Sequence, residues 1–136
     1  KLLQGCCKKI YYAAVHGNID ESGTINAPIA RERESIILRC VREDGQEAVT
    51  HYKRIKMNPQ YSLAEINLET GRTHQIRVHF SHIGHPLAGD DMYGGYRTDI
   101  SRQALHCGEI SFKDPVSGEQ ITVRSEIPED IEKIFK

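Results

Sequence analysis

The run Leu68-Glu-Thr-Gly-Arg-Thr-His-Gln-Ile-Arg-Val-His-Phe-Ser-His-Ile-Gly-His-Pro86 constrains this chain more than any other stretch. Thr70-Gly71-Arg72-Thr73 has the composition of a tight turn leaving a strand, and Thr73 is placed to cap a helix through its hydroxyl. Ile76, Phe80 and Ile83 recur at i, i+4 and i+7, which makes one face of a short helix apolar. Gly84 stands where a left-handed C-cap belongs, and Pro86 blocks continuation. The spacing predicts a helix of about three turns, with free N–H groups and the positive dipole end at its start. Arg72, His74, Gln75 and Arg77 surround that end, an anion-binding arrangement.

The segments on either side have the character of strands. Lys8 to Val15 is rich in apolar and aromatic residues but alternates poorly, as a largely buried strand does, and His16-Gly17-Asn18 closes it. Asp20 to Gly23 is a turn into a short strand that Pro28 ends, and Ala30 to Glu34 is expected to be a polar, mobile connection. Asp44-Gly45 predicts a hairpin between Ser35–Arg42 and Ala48–Lys56. Asn58-Pro59 turns the chain into a further strand, Tyr61 to Glu69, which feeds the helix.

Beyond the helix lies a Gly-rich, acidic and aromatic loop from Gly89 to Tyr96. Gln103–Cys107 and Glu109–Phe112 form strand pieces, Asp114 to Gly118 a hairpin turn, and Gln120–Glu126 the returning strand. Pro128 then opens a terminal helix with Ile131, Ile134 and Phe135 as its apolar stripe. The expected fold is α+β, a mainly antiparallel mixed sheet with a short central helix and a C-terminal helix.

A length of 136 residues allows one domain or part of one. The net charge of −1 offers no overall field for a polyanion, so nucleic-acid binding has to come from local basic patches. Cys6, Cys7, Cys40 and Cys107 show neither a CxxC pair nor zinc-like spacing, which suits a reduced, cytoplasmic protein. No apolar run approaches a membrane span. Lys1 in place of Met, and Lys1-Leu2-Leu3-Gln4 with the look of a helix tail, suggest a piece of something longer.

Three readings of the helix cluster remain open on residues alone. His74, His79, His82 and His85 are crowded together, but ligand spacing on one helical face is poor and no cysteine or carboxylate follows at that spacing, so no metal is expected. A capped surface helix with exposed histidines is the default for an arbitrary helix. A phosphate- or nucleotide-facing N-terminus is the third, and the Gly-Arg-Thr-His turn favours it.

A family resemblance bears on the choice. Gly71-Arg-Thr-His-Gln-Ile-Arg-Val-His79, followed by His82-Ile-Gly-His-Pro-Leu-Ala-Gly-Asp90 and Tyr93-Gly94, closely resembles the signature of the RluA-type pseudouridine synthases. Lys8-Lys-Ile-Tyr-Tyr-Ala-Ala-Val-His-Gly17 is similar to the family's Lys-Lys-x-Tyr-x-Ala strand. Ala104-Leu-His-Cys107, with Phe112, Pro115-Val116 and Gly118, is similar to its C-terminal motif. The resemblance implies isomerisation of uridine in RNA to pseudouridine, without cofactor or metal. The C1′–N1 bond breaks, the uracil turns, and it rejoins at C5.

By the same resemblance, Tyr11 stacks on the flipped uracil and helps remove the C5 proton, and Arg77 pairs with and orients the catalytic aspartate. Leu105 floors the uracil pocket; Ile76, Arg72, His74 and Gln75 join it as substrate-binding residues, the last three as backbone contacts. Tyr93 and Tyr96 are expected to anchor their loop rather than stack on bases. The family's nucleophile lies in an Arg-Leu-Asp stretch ahead of the Lys-Lys-x-Tyr strand, and no such stretch occurs here. Residues 1–136 are therefore expected to be the C-terminal portion of a pseudouridine synthase catalytic domain, inactive alone, with Arg77 lacking its partner and an S4-like module a common companion. The expected partner is structured RNA, ribosomal RNA first. The rival reading is a non-catalytic RNA-binding module that retains the uridine pocket.

Overall fold

The computed structural model describes residues 7–32 and 38–136. The expected helix tail at Lys1–Gln4, Cys6, and the stretch from Arg33 to Ile37 lie outside the described residues. The strands are β1 (Cys7–His16), β2 (Ser22–Asn26), β3 (Ile29–Arg31), β4 (Arg39–Val41), β5 (Val49–Met57), β6 (Tyr61–Leu68), β7 (Leu105–Lys113) and β8 (Gln120–Arg124). Helix α1 spans Gln75–His82 and α2 spans Glu129–Glu132, with 3-10 turns at Asp91–Tyr93 and Lys133–Phe135. A six-stranded sheet runs β2-β5-β6-β1-β7-β8, and β3 and β4 form a separate ribbon. Every pairing is antiparallel, so the α+β expectation holds.

The poor alternation of β1 has a direct cause: both of its faces are covered. Tyr11, Ala13 and Val15 join Ile66, Ile76, Phe80 and Leu87 under α1. Tyr12 and Ala14 join Tyr61, Leu63 and Ile131 on the opposite face, with Ile134 and Phe135 against them. Arg102 grips Asp130 through Nε at 2.9 Å and Nη2 at 3.0 Å, and Asn58 Nδ2 donates to the Ile134 carbonyl at 2.9 Å. These contacts hold the C-terminal segment against the sheet.

Helix α1 has eight residues, about two turns rather than three. So short a helix does not persist alone in water, and it depends on burying Ile76 and Phe80, about 1.5–3 kcal/mol for each side chain. Its end is as expected. Gly84 has φ +87°, its N–H bonds the Ser81 carbonyl at 3.0 Å, and the His85 N–H bonds that of Phe80 at 2.8 Å. This closes the helix with a Schellman motif.

Three local expectations are corrected. Asp44-Gly45 does turn the chain, but β4 pairs with β3 instead of β5, whose neighbours are β2 and β6. Turn chemistry at Asp-Gly is local, and long-range pairing chose other partners. Ala30 and Arg31, expected in a mobile connection, are the strand residues that receive β4. The break expected between Cys107 and Glu109 is a bulge within a single strand: Ile10 faces Glu109 while Tyr11 faces Cys107, leaving Gly108 as the extra residue. A Cβ at Gly108 would lie 2.3 Å from the Tyr12 ring, so only glycine fits there. No helix among the described residues is long and apolar enough to cross a membrane.

Candidate active site

Strand β6 leaves the sheet at Leu68, and Gln75 fixes the turn that follows. Its amide, almost fully buried, accepts from Thr70 Oγ1 at 2.7 Å and from the Arg72 N–H at 3.0 Å. It donates to the Val49 carbonyl and to Thr50 Oγ1, both at 3.0 Å. All four hydrogen-bonding positions of the amide are thus occupied. Gln75 shapes the site from within, and its amide is not available as the RNA contact the sequence suggested.

The helix start also differs from expectation. His74, rather than Thr73, is the N-cap; it adopts φ 56° and ψ 20°, and no side chain caps the helix. A left-handed non-glycine residue costs on the order of 1–2 kcal/mol and persists only where its surroundings enforce it. The first-turn N–H groups have no intrahelical acceptor, and no acidic residue occupies that turn. Of these the Gln75 N–H is taken by the Arg72 carbonyl at 3.0 Å, so the donor end expected of this helix is reduced to Ile76 and Arg77.

A cleft of about 370 Å³ opens here, lined by Lys9, Tyr11, Leu68, Gly71, Arg72, His74, Gln75, Ile76, Arg77, Gln103 and Leu105. All seven residues singled out in the sequence meet in it. Tyr11 and Leu105 come from β1 and β7, and the bulge at Gly108 puts them on one face, Leu105 opposite Ala13 and Tyr11 opposite Cys107. Both rest half-buried against the core beneath α1, so Tyr11 is a core aromatic and a cleft wall at once. The sequence reading missed Lys9 and Gln103. Period-two alternation along β1 would have placed Lys9 on the face of Tyr11. The lining contains Lys9, Arg72 and Arg77 but no carboxylate, so the cleft is positive although the chain as a whole is not. A second cleft, about 380 Å³ beside the β3–β4 ribbon, shares only Arg72 with the first.

Arg77 is not without a partner. Its Nε donates to Asp90 Oδ2 at 2.8 Å and its Nη2 to Oδ1 at 2.9 Å, a fork onto a carboxylate that is almost fully buried. Asp90 itself does not line the cleft. Nη2 also meets Met92 Sδ at 3.3 Å, and the guanidinium lies 5.1 Å from the centre of the Tyr93 ring. Nη1 has no hydrogen-bond partner among the described residues.

The Tyr93 hydroxyl accepts the Arg39 N–H at 3.0 Å and lies 2.6 Å from His74 Nδ1. Tyr93 thus ties its loop down as expected, while Tyr96 stays exposed with its ring edge against His16. Burial first, then the charges of Arg77 and Arg39, pushes the His74 imidazole below its ordinary value, which keeps it neutral near pH 7.

The histidines of the cluster go to separate partners. His79 is buried, with Nδ1 2.7 Å from Thr50 Oγ1 and Nε2 2.8 Å from the Ala27 carbonyl. His85 Nδ1 meets the His16 carbonyl at 2.7 Å, and His82 is exposed. No three His, Cys, Asp or Glu side chains gather as metal ligands among the described residues.

The sheet thus carries an aromatic and apolar cleft edged by arginines at a helix start. The family model for RNA pseudouridylate synthase matches residues 3–82, and the chain belongs to that family. An uncharacterized RNA pseudouridine synthase of Bacillus subtilis, YjbO, is 47% identical over 133 residues, covering 97% of this chain and 47% of that protein. The ribosomal large subunit pseudouridine synthase D of Xanthomonas campestris is 41% identical over 139 residues, covering 92% of this chain and 42% of that protein. The solved structure of human RNA pseudouridylate synthase domain containing 1 superposes with a TM-score of 0.77 at 29% identity, covering 88% of this chain and 54% of that one. The chain spans about half the length of the curated relatives it matches.

Proposed function

We propose that these residues form the uridine pocket of an RNA pseudouridine synthase acting on structured RNA, ribosomal RNA first, with a cytoplasmic location to match. The observation that carries this reading is the composition of the cleft. Aromatic Tyr11 and apolar Leu105 and Ile76 sit beside Lys9, Arg72 and Arg77 with no carboxylate among them. A uridine has to leave its stack before its C1′ can be reached, at a cost of a few kcal/mol. Stacking on an aromatic ring offsets about 1–3 kcal/mol of this, and cations at the rim hold the flanking phosphates.

In this reading Tyr11 packs on the uracil and assists removal of the C5 proton, Leu105 floors the base, and Arg72 and His74 meet the backbone. Arg77, anchored by Asp90, offers Nη1 to the catalytic carboxylate, which comes from outside these 136 residues. Ion pairing keeps that carboxylate ionised and oriented. The name of the Xanthomonas relative supports ribosomal RNA as the substrate class.

The test is an assay for pseudouridine on structured RNA. The 136-residue chain alone should bind RNA and form none. A longer form carrying an Arg-Leu-Asp stretch ahead of Lys1 should form it, and Tyr11→Ala in that form should abolish the product. Isomerase activity from the chain alone would mean that the nucleophile lies within it. RNA binding without product in the longer form would favour the non-catalytic module.

A further inference from the structure

Tyr93 touches two polar residues of the cleft, His74 and Arg77, and the valence of its hydroxyl decides what His74 offers. A phenol oxygen has one proton to give. At Tyr93 that oxygen already accepts the Arg39 N–H at 3.0 Å. Its own proton then has a single further polar atom within reach among the described residues, His74 Nδ1 at 2.6 Å. If Nδ1 carried the imidazole proton instead, the half-buried phenol would hold a donor with no partner among the described residues, the costlier arrangement.

The neighbours keep this geometry in place. The Tyr93 carbonyl accepts Ser81 Oγ at 2.6 Å, which pins the ring's backbone to α1. His74 is held in its left-handed conformation by the turn before the helix, so its Cβ direction is set by backbone rather than by choice of rotamer. The two rings meet edge to face, their centres 5.6 Å apart. Nε2 has no partner among the described residues, and His74 lines the cleft.

We infer that Tyr93 is a positioning residue that locks His74 with its proton on Nε2, so that the cleft presents a neutral N–H donor to a carbonyl or phosphate oxygen of the RNA. This rests on the cleft being the RNA site. A neutral donor suits that place, because it binds oxygen without adding a further charge to those of Lys9, Arg72 and Arg77. The loop carrying Tyr93 also carries Asp90, so a single loop orients both Arg77 and His74.

The experiment is imidazole nitrogen NMR on the full chain at neutral pH, followed by titration with a uridine-containing RNA hairpin. Without RNA, His74 should show an unprotonated Nδ1 and a protonated Nε2, and Tyr93→Phe should shift it towards a mixture of tautomers. A protonated Nδ1 in the unaltered chain overturns the inference. In the titration, Tyr93→Phe should weaken binding roughly three- to tenfold, the effect of one hydrogen bond.

A double-variant cycle separates positioning from packing. His74→Gln supplies an amide donor that needs no tautomer to be fixed, so adding Tyr93→Phe to it should change affinity little. An equal loss in both backgrounds would make Tyr93 merely structural and overturn the inference. Failure of the unaltered chain to bind RNA would count against the reading of the cleft, while the tautomer spectrum would still decide whether Tyr93 locks His74.

Discussion

At Arg77 two demands meet, because the same guanidinium must stay charged in a half-buried site and still face a ligand. Asp90 answers the first by taking Nε and Nη2 in a bidentate fork. Removing the arginine would strand a buried carboxylate, so Arg77→Ala should lower stability by about 3–5 kcal/mol in urea unfolding. Arg77→Lys keeps the charge but loses the planar fork, and should fall between the two. A loss of less than about 1 kcal/mol for Arg77→Ala would show that Asp90 is already stabilised without it. The sequence marked Arg77 and Asp90 as parts of one signature without pairing them. They are 13 residues apart across a helix and a loop, and only the packed loop brings them to 2.8 Å.

Among the elements, α1 and the turn that ends it were the most legible, since caps and periodicity are local physics. Gly84 illustrates the point: a Cβ there meets nothing within 4 Å, and φ is +87°. Gly84→Ala should therefore cost roughly 1 kcal/mol from backbone conformation alone. The loss should be visible as a lower urea midpoint, with the cleft resonances unmoved. A loss above about 3 kcal/mol would mean that the turn is packed more tightly than this spacing allows. The start of the helix was less legible. Thr73 has the right side chain for a cap, but Gln75 claims the Arg72 N–H and Thr70 Oγ1 and draws the turn one residue further, leaving His74 at the cap. Competition between a local cap and a buried amide is settled by burial, which the linear pattern does not show.

Over the whole molecule, three histidines make stability depend on pH. His16, His74 and His79 all lie below the ordinary 6.5, each chiefly because burial disfavours the charged form. Opposing influences are the Asp99 charge on His16, Asp90 on His74, and the Ala27 carbonyl on His79. The unfolded chain therefore binds more protons than the folded one below about pH 6.5. Stability is complete above that pH and falls as the pH drops from there towards the folded-state values. Urea midpoints should be flat between pH 7 and 8 and decline between pH 6.5 and 5. His79→Gln should shallow the decline, because His79 joins α1 to both Thr50 and the Ala27 corner. A midpoint that rises on acidification would refute the assignment.

The sequence alone determined the order of most strands and turns, the short apolar-faced helix with its glycine stop, and seven of the residues that meet in the cleft. These rest on periodicity, turn chemistry and a dense signature, all readable over a few residues. The tertiary structure decided which strands pair: β4 with β3 in place of β5, and β7 with β1 through the bulge at Gly108. It also decided that Asp90 holds Arg77, that Gln75 is spent on the turn, and that Tyr93 reaches His74. Hydrogen-bond partners across tens of residues are chosen by burial and geometry together, and neither exists until the sheet has formed.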